Sequence, residues 1–446
     1  MASDLIAMAR SGTRAARTAL EITSNNIANA SSEGYVRRSV SLTEVAVGTV
    51  NATPTAINLA GVAVAGIVRN ADQFRQSEVR RTGADAARAA AEVQGLENIE
   101  AAVEQTGVYT SIVDFEAGLQ ALLADPTDGA LRASVLEQGR TLSQTMNVAA
   151  TSLDAVGEGL RFEAADGVEN VNRIAAELAR VNLRLARASD ASSDQTAQLD
   201  QRDTLLQELS QYVDMKTSFA PDTGVVTVTL GGTAGTDLVA GGVTRTLAMT
   251  TASDGTISFD LDGTATTISS GAIAGKSLSL NQAAITRSDL DAVAAGIITA
   301  INAAQTSGVD LNGNAGQPLF SGSGAGDMTM IATNGSAVAT APAGASANSR
   351  DVSNLEAMRS ALASADPAGA MDTLLFGVSS AVAGRIVTRD ALDSIASTAK
   401  VALQAQAGVD LDQEAVNLVR FQQAFEANAR VMQVATDIFD SILAIR

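Results

Sequence analysis

A chain of 446 residues with 46% hydrophobic side chains has enough apolar material for more than one core, at roughly one domain per 150 residues. Its formal net charge of −19 works against binding to nucleic-acid backbones or anionic membrane surfaces and favours solubility. Cysteine, histidine and tryptophan are absent, which removes disulfides, thiolate zinc sites and the commonest acid–base side chain.

The first predicted element is a helix. Leu5, Met8, Gly12, Ala15, Ala19 and Ile22 recur at steps of three and four, the spacing of a heptad seam, and its small residues permit close helix approach. The helix breaks at Ser24-Asn25-Asn26-Ile27-Ala28-Asn29. Asn25, Asn26 and Asn29 read as helix-end residues, because asparagine tolerates the left-handed conformation, with direct subunit contact as the alternative. Gly34 then supplies a turn, and an extended segment follows Tyr35. Asp4 and Arg10 stand where a secretory signal would carry basic and apolar residues, so no Sec signal is expected. The apolar run from Ala60 to Val68 is broken by glycines and falls short of the roughly 20 residues that span a bilayer, so no membrane insertion is expected.

From about Asp72 to Val213 the pattern is helical, through Val93, Leu96, Ile99 and Val103, a break at Asp125-Pro126, and a stripe at Val171, Ile174, Leu178, Val181 and Leu185. Leu199 to Leu209 continues it, with the charges of Asp200, Arg202 and Asp203 expected on the outer face. Near Asp214 alternation takes over, at Val226, Val228 and Leu230 and again at Ile257, Phe259 and Leu261, with Asp254-Gly255 and Asp262-Gly263 as turns. Helical spacing resumes at Leu290, Val293, Ile297 and Ile301. Residues 321–349, poor in large side chains, read as an exposed or flexible loop.

From Leu355 to Arg446 the pattern is helical again, with breaks at Asp366-Pro367 and Gly408. The final stretch carries a second seam through Leu411, Ala415, Leu418, Gln422, Phe425, Ala429, Met432, Thr436, Phe439 and Leu443, with Phe421 beside it. A flanking row at Val416, Val419, Val431, Val434, Ile438, Ile442 and Ile445 makes the apolar face wider than one partner needs. Gln422 and Thr436 are positions that would fix register. The same spacing also fits core helices of a single globular domain. Because each end lacks its partners in a single copy, both ends are expected to be disordered or loosely helical until assembly.

These readings give an α+β multidomain chain in nested order. Residues 1–60 with 405–446 form a terminal helical assembly domain, 61–213 with 288–404 a helical body carrying the loop at 321–349, and 214–287 an inserted β-rich outer domain. No catalytic constellation emerges. Ser397-Thr398-Ala399-Lys400 has the spacing of a serine acylase tetrad but lacks its companion elements. Asp310-Leu311-Asn312-Gly313-Asn314 begins like a calcium loop, yet Ala315 and Ser321 stand where glycine and glutamate belong, so a turn is expected there. Gly322-Ser323-Gly324-Ala325-Gly326 lacks the strand-to-helix context of a dinucleotide site, and Asp260 with Asp262 fits a solvated strand edge. No cofactor or metal is expected.

Two motifs carry a family resemblance. Ala19 to Asn29 with Gly34-Tyr35-Val36-Arg37-Arg38 resembles the N-terminal signature of bacterial flagellar rod, hook and hook-associated proteins. Gly408 to Leu418, including Asn417, with Phe421 to Phe425 and Asn428 to Val431, resembles their C-terminal signature. The tyrosine in place of a Gly-Phe-Lys element, and the interior stretches Leu199–Leu209, Val309–Asn314 and Asp125-Pro126 with Arg132, are closest to the hook-associated members.

That resemblance implies a structural axial protein, not an enzyme, located outside the cell at the hook–filament junction. It implies polymerisation with itself through terminal helices. Leu5, Met8, Ala15, Ala19, Ile22, Leu411, Leu418, Phe421, Phe425, Met432, Phe439 and Leu443 would be interface residues. The implied partners are the hook protein, a second junction protein on the filament side, and an export chaperone with the type III export apparatus. A rod or hook protein, or a secreted adhesin using its β domain, are the alternative readings, although 3% aromatic residues leave little for sugar stacking.

Overall fold

The computed structural model describes residues 2–32, 34–47, 58–188, 193–231 and 235–444. In chain order the elements are α1 (Ala2–Ala28), β1 (Arg38–Val47), β2 (Asn58–Arg69), α2 (Gln73–Glu104), α3 (Val108–Leu122), α4 (Gly129–Leu185) and α5 (Ser193–Tyr212). Short strands follow: β3 (Lys216–Phe219), β4 (Val226–Leu230), β5 (Thr236–Ala240), β6 (Val243–Thr244), β7 (Leu247–Thr251), β8 (Ile257–Leu261) and β9 (Thr264–Thr266). The remainder is α6 (Ala272–Thr306), β10 (Gly308–Val309), β11 (Phe320–Ser321), β12 (Thr329–Met330), β13 (Ala341–Pro342), α7 (Ser353–Ala365), α8 (Pro367–Ala407) and α9 (Leu411–Ala444). This is the α+β class expected, with long terminal helices and small sheets between.

The chain divides into two compact units. One comprises Met1–Asp85, Asn170–Leu247 and Asp393–Arg446; the other comprises Ala86–Glu169 and Ala248–Leu392. These units cut across the three-part division read from sequence texture, since strands of the 214–287 region fall in both. Residues 272–287 are also helical rather than β, because Ile273, Leu280 and Ala283 bury one face of α6 at helical spacing ahead of Leu290.

In the first unit, β3, β4, β5 and β6 form one sheet in that order. The alternation of β4 is realised, with Val226, Val228 and Leu230 fully buried. Asn182 of α4 holds this strand to the helix: its Nδ2 donates to Val226 O and Gly241 O, both at 2.8 Å, and its Oδ1 accepts from Val226 N at 2.9 Å. Asn172 treats Leu247 the same way, donating to its carbonyl and accepting from its N–H, each at 2.9 Å.

The second unit is built on α3, the first part of α4, α6, α7 and α8, around Ile112, Phe115, Leu119, Leu142, Met146, Ile297, Ile301, Met358 and Met371. Phe115 meets Phe320 edge to face at 5.6 Å between ring centroids. Residues 321–349, expected as an exposed or flexible loop, are instead packed against this core. Ala325, Met328, Val338, Ala339, Thr340 and Ala341 are buried. Their small side chains let the backbone approach the helices, whose polar side chains then meet its hydrogen-bonding groups. Asn147 donates to Ala325 O and Met328 O at 2.7 and 3.1 Å, and Gln305 donates to Ala337 O at 2.6 Å while accepting from Ala339 N at 3.0 Å. Asn302 takes both backbone groups of Phe320.

Arg132 is the largest such clamp, only 1% exposed. It donates to Pro126 O at 2.5 Å, Val338 O at 2.7 Å, Gly335 O at 3.2 Å and Thr340 Oγ1 at 2.8 Å. Its position is set by the N-terminus of α4, where Asp128 caps the N–H groups of Ala130 and Leu131 at 2.7 and 2.9 Å. Arg132→Met is expected to leave these carbonyls unsatisfied and to cost about 3 kcal/mol or more. Denaturant unfolding measures the loss, and limited proteolysis should show new cleavage within residues 321–349. Arg132→Lys should recover only part of the loss, because a point charge cannot reproduce the guanidinium fork.

Candidate functional site

The two chain ends meet directly. Gly12 of α1 faces Asn428 of α9, where an added Cβ would come within 2.4 Å of Asn428 Oδ1, and Asn26 bonds to Glu414. These two contacts make the pair antiparallel and set its register, placing Ile22 level with Leu418, Ala19 with Phe421 and Met8 with Met432. The expectation of loosely helical ends is therefore corrected: each end is a helix whose partner is the other end of the same chain. Register comes from these contacts and not from Gln422 or Thr436, which are exposed; the Thr436 hydroxyl donates within its own helix to Met432 O.

On α1, Ala15, Ala19 and Ile22 are buried, Met8 is half-buried and Leu5 is exposed. The face of α9 turned to α1 runs through Glu414, Asn417, Phe421, Ala424, Asn428 and Ala435, about one position out from the expected seam. Leu418 and Met432 are half-buried at its edge, while Leu411, Phe425 and Phe439 are exposed. Leu443 lies on the α9 backbone, its side chain outside the described ones. A strict seven-residue seam drifts by about 20° per heptad on a straight helix, and close approach to the alanines of α1 selects smaller residues.

The asparagine motif behaves in two ways. Asn25 and Asn29 are local, Asn29 donating through its backbone N–H and its side chain to Asn25 O at 3.1 and 2.9 Å. Asn26, almost fully buried, is a tertiary clamp rather than a cap. Its Nδ2 donates to Arg38 O at 2.8 Å and Glu414 Oε2 at 3.2 Å, and its Oδ1 accepts from Arg38 N at 3.0 Å and the Tyr35 hydroxyl at 2.9 Å. Gly34 makes the expected turn at a φ of 79°, which brings Tyr35 back onto Asn26. Burial, with Arg38 opposing it, pushes the Tyr35 phenol above its usual range, so it remains a donor. Arg37 completes the link by donating to Glu414 Oε1 at 2.7 Å.

The β1–β2 hairpin joins this lock to α5. Its register sets Arg38 opposite Arg69, a like-charge pair that is unfavourable by itself. Asp200 of α5 resolves it by pairing with both, Arg38 at short range and Arg69 at 2.8 Å. Asp203 follows one turn on, pairing with Arg69 at 2.7 Å and Arg202 at 2.5 Å and accepting from Gln76 at 3.1 Å. The charges of this segment, expected on the outer face, are buried: Arg202 is 3% and Asp203 9% exposed. Burial alone would raise the Asp203 pKa, but the Arg202 and Arg69 guanidiniums overcome it and hold the carboxyl below the ordinary range. Arg80, nearby, is pushed down to about 10 by burial against the pull of Asp203, and stays cationic at neutral pH. Asp200, Asp203, Arg69 and Glu414 escaped the sequence reading as site residues. The signal for Asp200, Asp203 and Glu414 was acids on otherwise apolar helical stretches; Arg69, at the end of β2, gave none.

The decoy motifs resolve locally. Asp310 Oδ1 accepts from the N–H groups of Asn312 and Asn314 at 2.9 and 2.8 Å, forming the expected turn.

Residues 93–320 match the family described as the helical domain of the flagellar hook-associated protein FlgK, just over half of the chain. The chain belongs to the FlgK family. Its ends match broader flagellar families, residues 6–35 the basal body rod proteins and residues 404–445 the C-terminal region of the rod FlgEFG proteins. The ends alone would thus fit the rod alternative, and the interior distinguishes FlgK. Flagellar hook-associated protein 1 of Escherichia coli is 26% identical, over the whole of both chains, and that of Bacillus subtilis 24% identical, over 98% of this chain and 96% of the relative. The flagellar hook junction protein FlgK from Burkholderia pseudomallei superimposes with a TM-score of 0.49 at 22% identity, over 55% of this chain and 46% of that one. As a FlgK family member, the chain is a structural axial protein of the flagellum.

The charge cluster has a measurable consequence. Asp203→Asn leaves Arg69 and Arg202 buried with less compensation and is expected to cost about 3 kcal/mol at neutral pH. Because the folded pKa of Asp203 lies below its unfolded value, the stability it contributes is present above about pH 4 and lost as the pH falls further. Denaturant midpoints of wild type and variant should therefore differ at pH 7 and draw together progressively as the pH falls below about 4.

Proposed function

We propose that this chain is the subunit of the hook–filament junction and that it polymerises with itself through the outer surface of its paired terminal helices. The observation carrying this reading is the solvent face of α9. Val416, Val419, Val431, Val434, Ile438 and Phe439 are all exposed, Val416 by 63% and Val434 by 56%, although α1 already covers the inner face. Burying such a side chain in an assembled tube is worth about 1.5 to 3 kcal/mol. The α1–α9 pair is thus a preformed unit, and its outer rows are the adhesive for neighbouring copies. Heterologous contacts of this kind build tubes rather than closed dimers.

In this reading the predicted interface residues divide by task. Met8, Ala15, Ala19, Ile22, Leu418, Phe421 and Met432 hold the pair together, while Leu5, Leu411, Phe425 and Phe439 face other copies. The hook protein on one side and a second junction protein with the filament on the other are the axial neighbours. An export chaperone and the type III apparatus handle the chain before assembly, delivering it outside the cell. The role is architectural and requires no catalysis.

Three experiments test this. A strain lacking the protein should retain hooks, lack attached filaments and shed filament subunits into the medium; normal filaments would overturn the assignment. Replacing Val434 and Ile438 together by aspartate should leave monomer helicity unchanged by circular dichroism and abolish incorporation on purified hook ends. Leu418→Asp should instead destabilise the α1–α9 pair in the monomer, since a carboxylate near its buried edge lacks a partner.

A further inference from the structure

α1 has a second flank, free of α9, that forms a groove with the hairpin. Ser11 marks it: its hydroxyl donates to Met8 O at 2.8 Å and accepts from Val62 N of β2 at 3.1 Å. Gly61, at a φ of 111°, makes this approach possible, since a Cβ there would lie 2.2 Å from Ser11 Oγ. The open groove, of about 610 Å³, is lined by Ser11, Arg14, Arg17, Glu21, Val62 and Val64, with an apolar floor from β2 and a rim from α1 on which Arg17 pairs with Glu21 at 3.0 Å. Arg14 makes no ion pair among the described residues, and Arg10 stands one turn away on the same exposed side, an unfavourable like-charge spacing.

We infer that this groove receives the outer stripe of α9 from a second copy of the chain. The inference rests on the assembly reading above and specifies where α9 docks. Val416, Val419, Glu426, Arg430, Val434 and Asp437 fall within about a quarter of the α9 circumference at 100° per residue, a strip of valines carrying two acids and one base. Glu426 and Asp437 are exposed and form no ion pair among the described residues. Val434 and Val419 match the floor made by Val62 and Val64, and the two carboxylates match Arg14 and Arg17. Within one chain Arg14, Glu426 and Asp437 make no ion pair among the described residues and Arg17 holds only an exposed i,i+4 bond to Glu21, which contributes little and exchanges readily; Ser11 and its groove face β2, while the adjacent Gly12 faces α9. The opposite charges therefore remain available to another copy, in a protein whose overall charge would otherwise keep copies apart.

The test is charge reversal in the full-length protein, read as incorporation on purified hook ends with circular dichroism as the folding control. Arg14→Glu with Arg17→Glu, and separately Glu426→Arg with Asp437→Arg, should each lower incorporation about tenfold. The four changes combined should restore it to within about threefold of wild type. Arg14→Gln with Arg17→Gln should give a smaller loss, and wild-type incorporation should weaken with added salt, as exposed ion pairs do. Wild-type incorporation by either reversed pair, or failure of the combined variant to recover while its helicity is normal, would overturn the inference. If a reversed variant loses helicity, the glutamine variant decides: incorporation equal to wild type would also overturn it. Unimpaired incorporation by the Val434→Asp, Ile438→Asp variant would instead overturn the assembly reading itself.

Discussion

Wherever a strand or extended segment of this protein meets a helix, the backbone groups on the helix side lose their water and need partners. A helix has none to offer from its own main chain, which is fully engaged internally. The chain meets this constraint repeatedly with one device, a helical asparagine whose amide pairs with both the N–H and the C=O of a single residue, as a neighbouring strand would. Asn26 does this for Arg38, Asn172 for Leu247, Asn182 for Val226 and Asn302 for Phe320. Each replaces two lost hydrogen bonds to water with two of fixed geometry, so the gain is modest in energy and large in specificity, because a shift of one residue would leave both groups unpaired.

At the chain ends this device is joined to charge. Asn26 holds the backbone of Arg38, whose side chain reaches Asp200, while the same asparagine touches Glu414 on α9. One buried amide therefore ties α1, the hairpin, α5 and α9 into a common geometry. The Arg38–Arg69 pairing is informative in this light. Two arginines opposite each other weaken an isolated hairpin, and the hairpin is favoured only where Asp200 and Asp203 are presented together, one turn apart on α5. The hairpin is specified by the helix it packs against rather than by its own strands.

That dependence explains what could be read from the sequence and what could not. The terminal helices, the alternation of Val226, Val228 and Leu230 and the turn at Asp262-Gly263 rest on periodicity and local propensity, which a sequence displays. The role of Asn26 rests on a residue twelve positions away and another on the opposite end of the chain, so it was indistinguishable from the local Asn25 and Asn29. Asp200 and Asp203 looked solvated because acids on a helix usually are. Residues 321–349 looked loose because small residues give no periodic signal, whereas here their smallness is what allows burial beneath Arg132, Asn147 and Gln305. In each case the missing information was a partner distant in sequence.

The same division bears on how a strongly acidic chain can carry an adhesive helix. With a formal net charge of −19, two copies repel each other at long range, which keeps monomers apart while α9 exposes its valines and isoleucines. Repulsion screened over roughly 8 Å at physiological salt cannot prevent contact once surfaces are aligned, and it discriminates strongly among alignments. Most of the surface is penalised by like charge. The flank of α1 carrying Arg10, Arg14 and Arg17 is a local exception, where apolar burial and charge act in the same direction. Solubility before assembly and selectivity during it are thus two effects of a single charge distribution: acid dispersed over the chain, and base concentrated beside the groove that an apolar helix would fill.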